Sequence, residues 1–394
     1  MLARSAAPWK LAAVLGASAC ASPSALSSEA AVVVAPAAPL VPEPSPLVSF
    51  SPRASTFVED EALALTVAAR VKTGIQPKSV TLSPDGAQLW VCNFGFSGRK
   101  NVYVYDSTTL ERIAKVEFEG NAVETAFAHD GSRAYVSNFS RGVLEVIDPA
   151  SFRVLSEIKV GRYPKVIAVS PDDARIYVAN WGSADVAVID ASTNEVIERH
   201  PTGPRPRGMA LRDDGTLFVD AMWAHVVHVF PRDHEQWRIP TCQFPRHAVF
   251  APSDDALFVT CSGDDRLRWH DPDDGRVLGE AQVGDNPRSF ALSDDGRWSA
   301  VANFDGSSVT LVDLLVGRRY TTAVPETKRI VGLTMARGEA LRVFVTSWGN
   351  NQLLELHPTN HATQPASPPS TPISAAEPMN TADMGWRSMK RSSL

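Results

Sequence analysis

The 394-residue chain reads as an all-β protein built around a seven-bladed β-propeller of four-stranded blades, with the N-terminal strand closing the last blade. Three observations predict this. First, the turn Ser83-Pro84-Asp85-Gly86 recurs: equivalents end at Gly131, Asp173, Gly215, Asp254, Gly296 and Gly338, in steps of 45, 42, 42, 39, 42 and 42 residues. Second, each turn leads into short β-rich runs with period-two alternation, as in 176–180 (IYVAN) and 186–190 (VAVID). Four short strands per ~40-residue repeat is the propeller pattern, because one blade cannot bury both of its faces alone. Third, the last unit lacks its fourth strand, while an orphan stretch at 65–74 (LTVAARVKTG) precedes the first unit and matches fourth strands such as 154–161 (VLSEIKVG).

Before the repeats, Arg4 and Lys10 form a positive region ahead of the apolar stretch 11–19, which is too short to span a bilayer, and together they read as an export signal, residues 1–19. The boundary Ala17-Ser18-Ala19-Cys20 resembles a bacterial lipobox, which implies lipidation at Cys20, although Ala17 stands where lipoboxes usually carry Leu. Plain secretion is the alternative. Residues 20–60 are rich in Ala, Pro and Ser and read as a disordered tether. The propeller occupies 61–359, and 360–394 read as a disordered tail with a basic end at Arg387, Lys390 and Arg391.

Within the repeats, second strands fall at 89–93 (LWVCN), 134–138 (AYVSN) and 176–180, with eroded copies at 217–221, 257–261, 300–303 and 343–347. Ten residues past Asn138, Asn180 and Asn303 stand Asp148, Asp190 and Asp313, and Cys261 to Asp271 keeps that spacing. Asn93 to Asp106 is thirteen, so residues are inserted around 96–100. These aspartates are expected to cap tight turns.

Composition narrows the function classes. With 44% apolar and 21% charged residues the chain is no disordered protein, and a net charge of -6 argues against a general nucleic-acid binder. Four cysteines exclude a disulfide scaffold. A simple hairpin around Asp254 pairs Cys261 with about His247 and leaves Cys242 some five residues out of register, so no disulfide is expected and Cys92, Cys242 and Cys261 read as small buried residues.

The segments 177–180 (YVAN), 186–190 (VAVID), Thr193-Asn194 and 161–164 (GRYP) resemble the YVTN repeat of surface-layer-type seven-bladed propellers. The resemblance spans about 63–358 and is strongest in units one to three. It implies the fold and leaves the function open.

Two recurring features share one rim, because adjacent strands run antiparallel. A proline followed by a base occurs at Lys78, Lys165, Arg207, Arg246 and Arg288, broken by Val123-Glu124 in unit two, with Lys328 and Arg329 upstream of the seventh inner strand. An aromatic follows the Asn position at Phe94, Phe139, Trp181, Phe304 and Trp348. Together they suggest an anion-receiving funnel, with Asn180, Trp181, Asn303 and Trp348 beside the cations. The plainer reading has solvated bases and aromatics wedged between blades.

Unit four is irregular, with Met222, Trp223, His225, His228, His234 and Trp237, flanked by His200 and His247. His225 and His228 are three apart on a strand and face opposite sides, so they do not share a metal. No cofactor is expected, and no nucleophile elbow, phosphate loop or HExxH motif occurs. The chain therefore reads as an exported, lipid-anchored, non-catalytic binding platform, periplasmic or at the outer surface. Its partner would be a protein, a polysaccharide or another anionic ligand, with single-stranded nucleic acid a secondary candidate. The alternative is an enzyme: similar propellers include lactone hydrolases and redox proteins with an axial cofactor, and Glu124, His247, Asn180 and Asn303 would be its polar groups. A structural surface-layer component is the third reading.

Overall fold

The computed structural model describes residues 56–95, 101–232, 236–338 and 340–360, all within one compact unit, Pro46–Leu394. Cys20, the signal and tether before residue 56, the insertion at 96–100, His234 and the tail beyond 360 lie outside the described residues. Seven sheets, each with a core of four antiparallel strands, form the blades of a propeller; six take their four strands in sequence order and the seventh takes its outer strand from the N-terminal side. Blade three is representative: Pro164–Val169 is innermost, followed by Arg175–Asn180, Asp185–Asp190 and Glu195–Pro201.

Burial follows from position. The two middle strands of each blade lie between neighbouring blades, so both of their faces are apolar and nearly every residue is buried, as in Arg175–Asn180. Outermost strands such as Arg153–Lys159 alternate exposed and covered residues. The core therefore sits between blades: Tyr135, Leu144 and Val146 of blade two pack with Ile176, Val178 and Ile189 of blade three. A turn residue in the left-handed region closes each inner hairpin, Gly86 at φ 74° and Asp173 at φ 55° among them.

The N-terminal strand closes the ring as expected. Leu63–Lys72 pairs antiparallel with Gln352–Asn360, from Leu63 opposite Asn360 to Lys72 opposite Gln352, leaving no free edge there. An unexpected two-residue strand, Val58–Glu59, pairs parallel with the outer strand Arg318–Ala323 of blade six. The repeated aspartates do cap turns: Asp106 accepts the N–H groups of Thr108 and Thr109, and Asp190 those of Ser192 and Thr193.

One expectation is overturned. Cys242 and Cys261 form a disulfide, with Cα atoms 5.5 Å apart. The simple hairpin register fails because each inner strand carries an irregularity near its start. Ala248 pairs with Val259, but Cys261 lies opposite Pro245, not His247. The preceding loop then folds back and lays Cys242 over Cys261. In other blades this pair of positions is Gly and Asn: a Cβ built on Gly161 would lie 2.6 Å from Asn180 Cγ, and one on Gly284 2.6 Å from Asn303 Cγ. Cys92 is buried and free, as expected, and burial pushes its thiol up to about 12.

Candidate functional site

The loop before each inner strand fixes the geometry of the site. The residue preceding the proline is left-handed at Gln76, Tyr163, Arg205, Phe244 and Asn286. Its carbonyl accepts the N–H of the residue after the Asn position: Gln76 from Phe94, Tyr163 from Trp181, Asn286 from Phe304. The base lies two residues beyond that carbonyl, so one hydrogen bond seats an aromatic beside each cation. Arg329 and Trp348 keep the bond in blade seven, and Asn121 and Phe139 in blade two.

The bases are not solvated. Lys165, Arg246 and Arg288 are each only 8% exposed, and Lys78 and Arg207 are half-buried. The five come from blades one, three, four, five and six, yet they feel one another. Burial holds the Lys78 ammonium well below its usual range, and Arg207, Arg288, Lys165 and Arg246 depress it further. Lys165 is depressed by burial and then by Arg207, Arg246 and Arg288, with only Glu124 opposing.

The structure shifts the break in the pattern: Val123 occupies the base position of blade two, and Glu124 stands one residue further on, where Arg207, Lys78 and Lys165 each favour its charged form. Its pKa nevertheless rises to about 7, because burial costs the charged form more than the cations return. Arg207 is lowered to about 10 by burial, with Glu124 opposing, and its Nε is buried without a hydrogen-bond partner.

The aromatics form a collar over these cations. Lys165 Nζ lies 4.3 Å from the Phe139 ring centre and 5.5 Å from that of Trp181, and Lys78 Nζ is 4.9 Å from Trp348. Arg288 caps Phe304 at 3.2 Å, and Arg205 lies between Trp181 at 3.6 Å and Trp223 at 4.9 Å. The rings also touch across blade boundaries: Trp348 to Phe94 at 5.8 Å, Phe94 to Phe139 at 5.4 Å, and Phe139 stacked on Tyr163 at 4.5 Å. Cation–π attraction partly offsets the mutual repulsion beneath.

One residue further along the inner strands, Ser79, Glu124, Val166, His247, Ser289 and Gly332 line the inner end of a chamber of about 710 Å³, which extends to Asp213, Asp254 and Asp294 at the inner turns. The N–H of Phe290 donates to His247 Nδ1 at 3.2 Å, so the neutral ring carries its proton on Nε2. Burial, then Arg207, lowers His247 to about 4. Arg207 therefore acts on both Glu124 and His247, which descend from different blades.

Of the residues singled out in the sequence, the structure gathers Lys78, Glu124, Lys165, Arg207, Arg246 and Arg288 at this end of the channel, with Trp181 and Trp348 in the collar. Asn180 and Asn303 stand apart. Both are fully buried inside their blades, where the Asn180 amide donates to the Val160 carbonyl and Asp185, and that of Asn303 to Ser308 and Thr310. The blade-four histidines hold loops: His225 accepts from Phe244 N–H and His228 from Gly203 N–H, each at 3.1 Å. Among the described residues no group of three or more His, Cys, Asp or Glu side chains could hold a metal ion. Sequence reasoning missed Asp220, whose carboxyl occupies the space a Cβ on Gly208 would need. Its signal was available: an acid where other units carry Ser137, Thr260 or Thr346.

No protein-family model matches the chain, and no curated protein matches it. Among solved structures, a chain of hydrazine synthase from Kuenenia stuttgartiensis is similar, with 20% identity and a TM-score of 0.62 over 75% of this chain and 99% of that one. Likeness at this identity concerns the propeller fold.

Proposed function

We propose that this protein is an exported, non-catalytic binding module that takes an anionic ligand at the cation end of its propeller channel. One observation carries the reading: five cations from five blades, Lys78, Lys165, Arg207, Arg246 and Arg288, are buried or half-buried at the same inner-strand position, with Glu124 as the carboxylate that opposes their effect on Lys165. Clustered, partly desolvated cations are costly until an anion joins them, and arginine forks suit carboxylate or phosphate. The YVTN-like repeats and the lipobox-like boundary before Cys20 support a lipid-anchored position at the cell envelope. The Cys242–Cys261 disulfide supports an oxidising compartment. The enzyme alternative retains only Glu124 and His247 of its four candidates, since the asparagine side chains are engaged within their blades.

The test is citrate binding by calorimetry and thermal shift on the full chain, compared with a Lys165→Glu/Arg207→Glu/Arg288→Glu variant. Wild type should bind citrate, more weakly as salt rises, and the folded variant should lose at least tenfold in affinity. Equal binding by both, or none by wild type, rejects the reading.

A further inference from the structure

Independently of the cation end, we infer that the outer edge of blade six is a strand-addition site for an extended acidic segment of a partner protein, a place that residues 57–60 of this chain occupy in its stead.

The outer strands show why this edge differs. A free outer strand offers unpaired N–H and C=O groups to any extended chain, and an extra residue within it spoils the offer by twisting the edge. Ile113, Leu155, Ile197, Leu278 and Ala68 are such residues, each skipped in the pairing of the outer strand of blades one, two, three, five and seven. Blade four presents only the four residues Trp237–Pro240, and Pro240 has no N–H to donate. In blade six, Arg318–Ala323 pairs without interruption, from Arg318 opposite Asp313 to Ala323 opposite Ser308. Among the described outer strands it alone is both long and regular. It is also the edge to which the chain adds a strand.

The added segment sits there as a ligand would. Its backbone joins the sheet in parallel: the Val58 N–H donates to the Gly317 carbonyl at 3.0 Å and the Asp60 N–H to that of Arg319 at 2.9 Å. Its side chains then select. Phe57 meets Trp269 edge-to-face at 5.5 Å, against the core between blades five and six. Glu59 pairs with Arg319 and accepts the Thr321 N–H at 3.0 Å, in place of a backbone carbonyl. Asp60 pairs with Arg318 at 3.2 Å. In strand addition the main chain supplies affinity and the side chains supply specificity, so this edge reads an aromatic residue followed, one position later, by two acids.

The hold is slight, which lets the occupant change. Only Val58 and Glu59 enter the ladder, Val58 remains 56% exposed, and both ion pairs lie at the surface, where such pairs contribute little. Asp60 also accepts the Ala62 N–H at 2.8 Å, turning the chain off the edge at once and leaving Thr321 and Ala323 exposed beyond it. A longer segment would cover them. Leu63–Lys72 is paired along its own length, so 57–60 can lift away while the ring stays closed.

The test is fluorescence anisotropy with a labelled peptide of residues 56–62 (TFVEDEA), titrated with the full chain and with a Phe57→Ala/Glu59→Ala variant. The variant should bind the peptide roughly tenfold more tightly than wild type, whose own segment competes for the edge. Val58→Pro in the peptide removes the donor to Gly317, and Arg318→Glu/Arg319→Glu added to the variant removes the cations; each should weaken binding roughly tenfold. Amide exchange of wild type needs no variant: the Val58 and Asp60 N–H groups should exchange roughly tenfold faster than those of Leu63–Lys72. Equal affinity of variant and wild type, or no binding by the folded variant, overturns the site. Exchange at Val58 and Asp60 as slow as in Leu63–Lys72 overturns the change of occupant. A wild-type dimer in native mass spectrometry that the peptide dissociates assigns the edge to a second copy and overturns the separate partner.

Discussion

Blades three and five close the same loop by different chemistry. In blade three the Asn180 amide packs against Gly161 and donates to the Val160 carbonyl at 3.1 Å and to Asp185 at 2.8 Å. In blade five the corresponding residues are Cys261 and Cys242, joined covalently across 19 positions. Blade four offers a third solution, with Ala221 in place of the asparagine and His228 accepting the Gly203 N–H. What the fold demands is that the loop entering the inner strand be held against the end of the second strand. That loop carries the cation and seats the aromatic, so its position matters more than the chemistry that fixes it.

The largest test of this comparison is removal of the disulfide. Cys242→Ala/Cys261→Ala should lower unfolding free energy by about 3 kcal/mol, the order expected for a loop of this length, read by urea denaturation. Cys242→Gly/Cys261→Asn rebuilds the latch of blade three and should recover about 1 kcal/mol of that loss. If reducing the wild type leaves its urea midpoint unchanged, the covalent latch contributes nothing.

Asp220 sharpens the comparison one residue earlier on the second strand. Ser137 and Thr346 occupy this position in blades two and seven, and their hydroxyls accept the N–H groups of Glu124 and Gly332 at 3.2 and 2.9 Å. Asp220 is fully buried, neither carboxyl oxygen has a hydrogen-bond partner, and burial alone pushes its pKa from 3.8 to about 7. The folded protein therefore keeps a proton that the unfolded chain releases. The contribution of this group to stability is complete below 3.8 and is lost as pH rises to about 7. Asp220→Thr should stabilise the protein at pH 8 by about 1–3 kcal/mol, with a smaller gain at pH 5. An equal gain at both pH values would mean that the buried carboxyl is not the cause.

The repeat made the fold legible because its period, its turn residues and its displaced strand all follow from chain connectivity. The proline-base pairs were legible for the same reason, and each begins the inner strand of its blade. Periodicity fixes a residue's height on its own blade, however, and says nothing of what the neighbouring blade lays over it. The burial of Lys165 under Phe139, a ring from the adjacent blade, depends on the bend of the loop that enters the inner strand, left-handed at Tyr163, which no side-chain pattern announces. The disulfide was missed for a related reason: the irregular start of the inner strand places Pro245, not His247, opposite Cys261. Asn180 and Asn303 were conspicuous because they recur, and they recur because the latch needs them.

His228 carries the smallest expected effect, because it replaces the latch with one hydrogen bond. Its Nε2 accepts the Gly203 N–H at 3.1 Å and can do so only while that nitrogen lacks a proton. Burial, then Arg238, lowers its pKa from 6.5, so the folded state resists a protonation that the unfolded chain accepts. Its contribution to stability is present above pH 6.5 and is lost as pH falls below it. His228→Gln offers an acceptor that does not titrate. It should remove part of the loss between pH 6.5 and 5, on the order of 1 kcal/mol or less, while changing little at pH 8. Urea midpoints across that range provide the measurement. Parallel profiles for variant and wild type would assign the pH response to the other buried histidines, His247 and His270, and leave the blade-four latch without a titrating member.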